Sequence, residues 1–555
     1  MVPDVLGAAG YGDYVSWWKL LPPLLVFLLW TRLITWVDKD SQDAHIPRQA
    51  TNLVAVAGLL AALIAFLVMP SFALALLVFV FVLFLEIAAY LFIRHQKVGL
   101  DDLAKSLKDS FQGKDGKSAK EVTSTEGEVM MVVGGRPVLA PDDESAERGP
   151  YEVVQSVLSF PLRKRADRIE LLPTPDGNAI VRYYTDGYPY SLRTLSKAEA
   201  AAGVGYLRAV CGMDVNDRRK PQTVKLRLVD PSGKHEALLT VAGSSAGEQM
   251  VVEIDVAKRY ELRLADLGLS EDQLQAISES IGRGGGIVLA SAPKGQGQTS
   301  LLYALLRAHD AFVQNIQTVE RDPPIDIEGV TQNKLPVGAT PADELKLVNW
   351  VCSTEPDVLM VPRLDEPKSA RELIRLAEAG KRVYVGLRAG STFDALTQWR
   401  RLVGDDQLAL SQIDSVIAGR VVRKLCAACK VAYVPDPEAM RKMNLSPERV
   451  SKLYQARTSP LRDQRGNEIP CEFCGDLRFK GRVGIYEVLS VNDDVRNALM
   501  SGASVEQLKV LFRKQRRRYL QEMALARVES GDTSIQEVLR VLRGESSGKS
   551  SGSSS

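Results

Sequence analysis

Residues 291–306 read SAPKGQGQTSLLYALL, with the spacing of a phosphate-binding loop. Such a loop runs G-x-x-x-x-G-K-[S/T] between a buried strand and a helix. Backbone N–H groups cradle the phosphates, the lysine neutralises their outer oxygens, and the hydroxyl residue ligates Mg²⁺. Here the second glycine is Gly297 and the hydroxyl residue is Thr299, followed by Ser300. Ala292 holds the place of the first glycine, followed by Pro293, Lys294, Gly295 and Gln296, and Gln298 holds the place of the lysine. Gln298 is neutral and shorter than lysine, so the frame of the loop is present and its charge is missing.

A second constellation is intact. Cys426-Ala-Ala-Cys429 and Cys471-Glu-Phe-Cys474 are paired thiols at knuckle spacing. Two such pairs close a tetrahedral Cys₄ site, and closed sites of this kind hold structural Zn²⁺. Cys211 and Cys352 stand alone and read as core residues. His45, His95, His235 and His309 do not cluster in sequence.

The bulk numbers set the frame for these motifs. A chain of 555 residues, 45% hydrophobic and 25% charged, is large enough for several globular domains. The formal net charge of +2 gives no general attraction to nucleic acid. The basic run FRKQRRRYL (512–520) has helical pattern and reads as a solvated or subunit-contacting face, so no nucleic-acid partner is expected.

The N-terminal region is apolar. Residues 20–37, 52–69 and 71–93 form three apolar segments, the first weakened by Arg32 and a Pro-Pro pair. Lys39 and Arg48 lie between the first and second segments, and Arg94 and Lys97 follow the third. The positive-inside rule then predicts a multi-pass anchor in the inner (cytoplasmic) membrane, with the large C-terminal part in the cytoplasm.

The expected organisation is α/β. Residues 1–97 form the membrane anchor and 98–148 a polar linker with one short hairpin at EVMMVVGGRPVLA. Residues 149–268 form a small α+β domain, with hairpins around Pro-Asp-Gly and DPSGK turns. Residues 269–420 hold the buried strands GIVLAS, DVLMV and RVYVGL alternating with helices, which predicts a mostly parallel sheet covered on both faces. Residues 421–544 carry the cysteine pairs and C-terminal helices, and 545–555 are a low-complexity, disordered tail.

From about Pro150 to Gly544 the chain resembles the secretion and pilus-assembly ATPases, the type II secretion (GspE) and type IV pilus (PilB, PilT) motors. The motifs occur in order: GMDVNDRRKPQ, GIVLASAPKGQGQTSLLYALL, TVERDPPIDIEGVTQ, EPDVLMVPRLDEPKSA, RVYVGLRAGSTFDAL, and the cysteine pairs followed by GRVGIYEVL. The resemblance implies a RecA-like P-loop domain, ATP with Mg²⁺, a structural zinc ion, secretion- or pilus-machine subunits as partners, and an oligomer built as a hexameric ring. It also locates what is absent. The catalytic glutamate of the second nucleotide motif falls at Arg363, and the histidine of the histidine segment at Arg388. Glu320 survives in the acidic segment, but Arg321 and Pro324 replace its companions. The family's arginines ahead of the second motif fall at Asn349 and Ser353, and those of the preceding domain at Lys225, Thr240 and Glu253.

An arginine cannot act as a general base, and at this position it repels Mg²⁺. The sequence therefore reads as a pseudo-ATPase: a structural or regulatory subunit of a type II secretion or type IV pilus-like machine, alongside an active homologous ATPase. Arg363 is expected to pair with Glu320 in the vacated site. Two other readings stay open. One is a divergent active motor whose catalytic groups are relocated or come from a neighbour. The other is an anion- or nucleotide-sensing module using Lys294, Arg321, Arg363 and Arg388.

Overall fold

The computed structural model describes residues 17–43, 48–68, 72–97, 128–442, 451–463, 465–515 and 517–543. The tail read as disordered and most of the linker lie outside these residues. The chain divides into two units, Met1–Ser124 and Thr125–Ser555.

The first unit holds three helices, Trp17–Asp43, Arg48–Val68 and Phe72–Lys97. Trp30, Ala55, Ala62, Phe79 and Leu83 pack together between them. Among the described residues one stretch, Phe72–Tyr90, is long and apolar enough to cross a bilayer (19 residues, mean hydropathy 2.8). The apolar stretches Leu21–Ile34 and Val54–Phe66 are shorter. Of the three expected spans, only the third therefore has the required length. Polar residues at the start of the second helix and the Pro22-Pro23 pair in the first cut the others down.

The second unit opens with an antiparallel sheet of eight strands in the order β2-β1-β6-β7-β8-β3-β4-β5. These are β1 (Met130–Val133), β2 (Arg136–Pro137), β3 (Arg168–Pro173), β4 (Ala179–Thr185), β5 (Tyr188–Leu195), β6 (Gln222–Asp230), β7 (Gly233–Ser244) and β8 (Gly247–Ile254). β1 and β2 are the hairpin expected inside the linker, and β1 pairs with β6, so the sheet begins inside the stretch read as linker. Helices Arg148–Arg163 and Lys197–Val210 cover one face. Val154, Leu158, Val204 and Leu207 meet Leu171, Leu239 and Met250 in one buried cluster.

The next sheet has seven strands in the order β11-β10-β12-β13-β9-β14-β19. They are β9 (Gly286–Ser291), β10 (Ile316–Glu320), β11 (Val330–Lys334), β12 (Val358–Val361), β13 (Arg382–Leu387), β14 (Ile413–Leu425) and β19 (Phe479–Ser490). All neighbours pair in parallel except β14 with β19. The alternation of β9 shows both faces covered: Ile287 and Leu289 join one core cluster, Val288 and Ala290 the other. The domain boundary expected at residue 420 falls inside β14, which runs from the sheet into the cysteine element. That element adds two small hairpins, β15 (Lys430–Tyr433) with β16 (Leu453–Ala456) and β17 (Leu461–Arg462) with β18 (Glu468–Ile469). Four short helices between Asp493 and Leu542 close the fold. The basic run read as helical instead straddles a break: one helix ends at Lys514 and the next starts at Leu520.

A buried ion cluster ties the antiparallel sheet to the rest. Arg423 on β14 donates to Glu537 at 2.8 Å, and its guanidinium lies 4.1 Å from the ring centroids of both Tyr188 and Phe479. It also reaches the Tyr190 hydroxyl at 3.3 Å, and Arg540 binds Glu537 at 2.6 Å. Nearby, Asp186 accepts from the Gly481 N–H at 2.9 Å. The two sheets are thus joined through Arg423 of β14 and the Tyr188 and Tyr190 side chains of β5.

Candidate functional site

The loop between β9 and the helix Gln298–Leu306 keeps its backbone form. Gly295 and Gly297 take φ of +76° and +84°, the left-handed region that favours glycine. A Cβ on Gly297 would also come within 2.9 Å of Val421. Gly297 caps the helix without a side-chain bond, which leaves the first-turn N–H groups without the usual side-chain acceptor. Ala292, where the motif has glycine, is buried and donates its N–H to the Leu387 carbonyl at 3.3 Å.

The side chains around this backbone have other engagements. The Gln298 amide donates to the carbonyls of Leu387 (2.7 Å) and Ala290 (3.3 Å), bridging the ends of β13 and β9. Gln296 accepts from the Val421 N–H at 3.0 Å. Ser300 donates to the Arg259 carbonyl at 3.0 Å.

Glu320 is buried at the end of β10. It accepts from the hydroxyls of Tyr303 and Thr318, both at 2.7 Å, and from the Gln332 amide at 3.2 Å. Burial, and then the Glu320 carboxylate, push the Tyr303 phenol well above its ordinary range. The pairing of Glu320 with Arg363 does not occur. Arg363 is half-exposed and donates to Asp365 at 3.1 Å, two residues along its own loop, because the Glu320 oxygens are already held by neutral donors.

In this region it is Glu344, which the sequence reading missed, that meets an arginine. It is fully buried on helix Pro341–Ser353 and accepts from the N–H groups of Asp365 (3.1 Å) and Glu366 (3.0 Å). Arg321 joins Glu344 at 3.2 Å to Asp365 at 3.3 Å. The arm that follows β12 is therefore held by Arg321 and Arg363. Only the acidic character of the first helical turn hints at Glu344 in sequence. The Glu344→Ala variant leaves Arg321 and two N–H groups without this acceptor. We expect it to lose about 3 kcal/mol, as broken buried pairs do, read as a drop in urea unfolding midpoint.

Arg388, at the end of β13, is exposed and faces a cleft of about 410 Å³ above the loop. The cleft is also lined by Pro293, Lys294, Gly295, Gly297, Gln298, Thr299 and Ser300, and by Arg168, Arg259 and Arg482. The sequence-predicted residues thus divide. The loop residues other than Ala292 and Gln296 share this cleft with Arg388, whereas Glu320, Arg321 and Arg363 are engaged elsewhere. Arg168 and Arg259 carried no motif signal; Arg482 sits in the GRVGIYEVL stretch.

Cys426, Cys429, Cys471 and Cys474 converge. All four are buried and their sulfurs lie within 4.8 Å of one another. The Cys426–Cys471 and Cys429–Cys474 distances are 3.9 and 3.7 Å. A tetrahedron with Zn–S bonds of about 2.3 Å has edges of about 3.8 Å, so the donor set and its dimensions fit zinc. Each pair forms a knuckle: Lys430 donates its N–H to the Cys426 carbonyl at 3.0 Å, and Gly475 to that of Cys471 at 2.7 Å. Burial pushes the Cys211 thiol up to about 11, and burial together with the Glu372 carboxylate pushes that of Cys352 up to about 12.

Comparison with known proteins adds the following. A family model described as type II/IV secretion system protein matches residues 144–540. The type IV pilus assembly ATPase PilB of Thermus thermophilus is 26% identical over 404 residues, covering 72% of this chain and 43% of that protein. Type II secretion system protein E of Pseudomonas aeruginosa is 27% identical over 395 residues, covering 71% of this chain and 75% of the relative. Among solved structures, the ATPase DotB of Legionella pneumophila aligns with 72% of this chain and 97% of its own, at 14% identity and a TM-score of 0.46.

Proposed function

The chain belongs to the type II/IV secretion system protein family, and we propose that it is a catalytically degenerate member. It serves as a membrane-anchored structural or regulatory subunit of a type II secretion or type IV pilus-like machine. The observation that carries this reading is the fate of Gln298. At the position where the family places its lysine, a neutral amide lines the cleft but spends its donors on two strand-end carbonyls. Three further facts support it. Arg363 occupies the place of the catalytic glutamate and pairs with Asp365. Arg388 occupies that of the histidine. Glu320 is held among neutral donors.

The family's activity needs electrostatic groups aimed at the transferring phosphoryl group. Here the cradle remains and the aimed groups do not. What remains suited to function is shape: two sheets joined by a buried ion cluster, a Cys₄ clip that would hold structural Zn²⁺, and a helical end. The zinc would join the segments around Cys429 and Cys471 without entering any reaction. An oligomer containing an active homologue fits such a role.

Membrane anchoring is supported by the first unit. Phe72–Tyr90 has the length to span, and Leu24, Leu25, Leu28, Phe81 and Phe84 all face outward. A soluble packed unit would bury such residues.

The reading is tested by returning one charge. Full-length protein carrying Gln298→Lys is expected to release no more phosphate from Mg-ATP than the natural chain, because Arg363 and Arg388 remain. Turnover restored by that single change would place the loss at one residue and contradict degeneration across the site.

A further inference from the structure

The antiparallel sheet and the parallel sheet share no apolar core. The buried cluster of the first holds residues between Val129 and Ile254, and those of the second begin at Leu267. Parts of a chain joined without a large apolar interface move relative to each other by default. What joins them here is polar, and much of it ends on one segment, the run from the second cysteine knuckle into β19.

Helix Arg148–Arg163 ends against that knuckle. Its C-cap, Lys164, donates from Nζ to the Gly475 carbonyl at 2.5 Å. Arg165 donates to the Phe479 carbonyl at 3.4 Å. Asp186, in the turn between β4 and β5, accepts from the Gly481 N–H at 2.9 Å. The Phe479 ring lies with that of Tyr188 against the Arg423 guanidinium.

The backbone at this joint is held in an uncommon form. Among the described residues six non-glycines take positive φ, and four of them are here: Arg165 (+56°), Asp186 (+53°), Asp476 (+66°) and Arg478 (+67°). Such residues persist where their surroundings over-determine them. Two stand on the antiparallel-sheet side and two on the knuckle side, so both sides keep conformations that their own residues do not favour.

The knuckle side is built around the four sulfurs. Gly475 follows Cys474 directly and donates its N–H to the Cys471 carbonyl at 2.7 Å. Asp476 accepts from the Cys471 N–H at 2.9 Å. The Cys426 N–H donates to the Arg478 carbonyl at 3.0 Å, which aligns Arg478 and Phe479 with the end of β14. The carbonyls and the ring that the antiparallel sheet uses thus belong to turns that a metal on these cysteines would fix.

We infer that the Cys₄ site is the seat on which the antiparallel sheet docks, so that zinc occupancy sets the arrangement of the two sheets. With the metal bound, the carbonyls of Gly475 and Phe479 are ordered and hold the end of helix Arg148–Arg163. Without it, the antiparallel sheet is released while each sheet keeps its own core. The metal then acts beyond its own knuckles, on residues that carry none of its ligands.

The test uses full-length protein in detergent, followed by amide hydrogen exchange with zinc bound, after chelation, and after zinc is returned. Zinc content per chain is measured in parallel. Chelation should speed exchange by about tenfold or more at residues 160–166 and 185–190 and leave β3, β4 and β9 protected, and returned zinc should reverse this. A second variant approaches the joint from the other side. Lys164→Met keeps a stem beside Phe160 and removes the donor. It should keep one zinc per chain and speed exchange across residues 473–481. Exchange that rises only within residues 426–478 on chelation makes the metal a local staple and overturns the inference. Exchange that rises through the interiors of both sheets makes the metal a support of the whole fold and overturns it too. So does a natural chain that carries no zinc, or a Lys164→Met knuckle that exchanges like the natural one. None of these outcomes bears on turnover, which phosphate release tests separately.

Discussion

The Cys471→Ser variant is expected to lose its zinc and, with it, the order of the two knuckles between β14 and β19. Cys426 follows directly on β14 and Cys474 precedes β19, while the segment between them holds only short hairpins and one short helix among the described residues. Leu461 is the apolar neighbour that packs against the four sulfurs. Met440 and Leu453 pack the middle of the segment into a separate apolar cluster, so it is the knuckles around the four sulfurs whose order depends on the metal. Structural zinc contributes on the order of 10 kcal/mol in small domains, and a three-thiolate remnant holds much less of it. The measurement is zinc content per chain, with limited proteolysis across residues 430–470. Natural protein should carry one zinc and resist cleavage, and the variant should do neither. Natural protein that purifies without zinc yet resists cleavage would make the cluster four buried thiols.

Glu537→Ala is expected to destabilise the chain by about 3–5 kcal/mol, since it leaves Arg423 and Arg540 buried against aromatic rings without their carboxylate. The same cluster sets an acid limit. Burial alone would raise the Glu537 pKa, but hydrogen bonds from Arg540 and Arg423 outweigh it and bring it down to about 2. A depressed carboxylate contributes stability that is complete above its unfolded value near 4.5 and is lost as pH falls toward 2. That contribution is about 3 kcal/mol. Unfolding midpoints measured from pH 6 to pH 2.5 should therefore fall steeply in the natural chain and less steeply in Glu537→Ala. Parallel curves would show that the cluster does not couple to acid unfolding.

The sequence made the loop, the cysteine pairs and the strands β9, β12 and β13 legible, because each is a local pattern. A buried strand is an apolar run, a loop is glycine spacing, and a knuckle is C-x-x-C. The resemblance then ordered these pieces and located the missing charges. What escaped was set by tertiary contact. Arg363 stands where family spacing puts a catalytic residue, and that spacing pairs it with Glu320. Glu320 is instead enclosed by Tyr303, Thr318 and Gln332, which arrive from a helix and two strands. Glu344 and Arg321 lie 23 residues apart and meet only through the packing of helix Pro341–Ser353. Arg168 and Arg259 reach the cleft because two separate sheets are clamped together. β14 escaped as one long strand because its sequence carries Arg420, Arg423 and Lys424 among apolar residues.

The central claim is that this family member keeps the ATPase frame and has lost its chemistry. Its most direct test is phosphate release from saturating Mg-ATP by the natural full-length protein, at high enzyme concentration so that slow single turnovers are seen. The account predicts release indistinguishable from buffer. Release that scales with protein concentration and disappears in EDTA would contradict it, and would mean that catalytic groups reach the cleft from elsewhere.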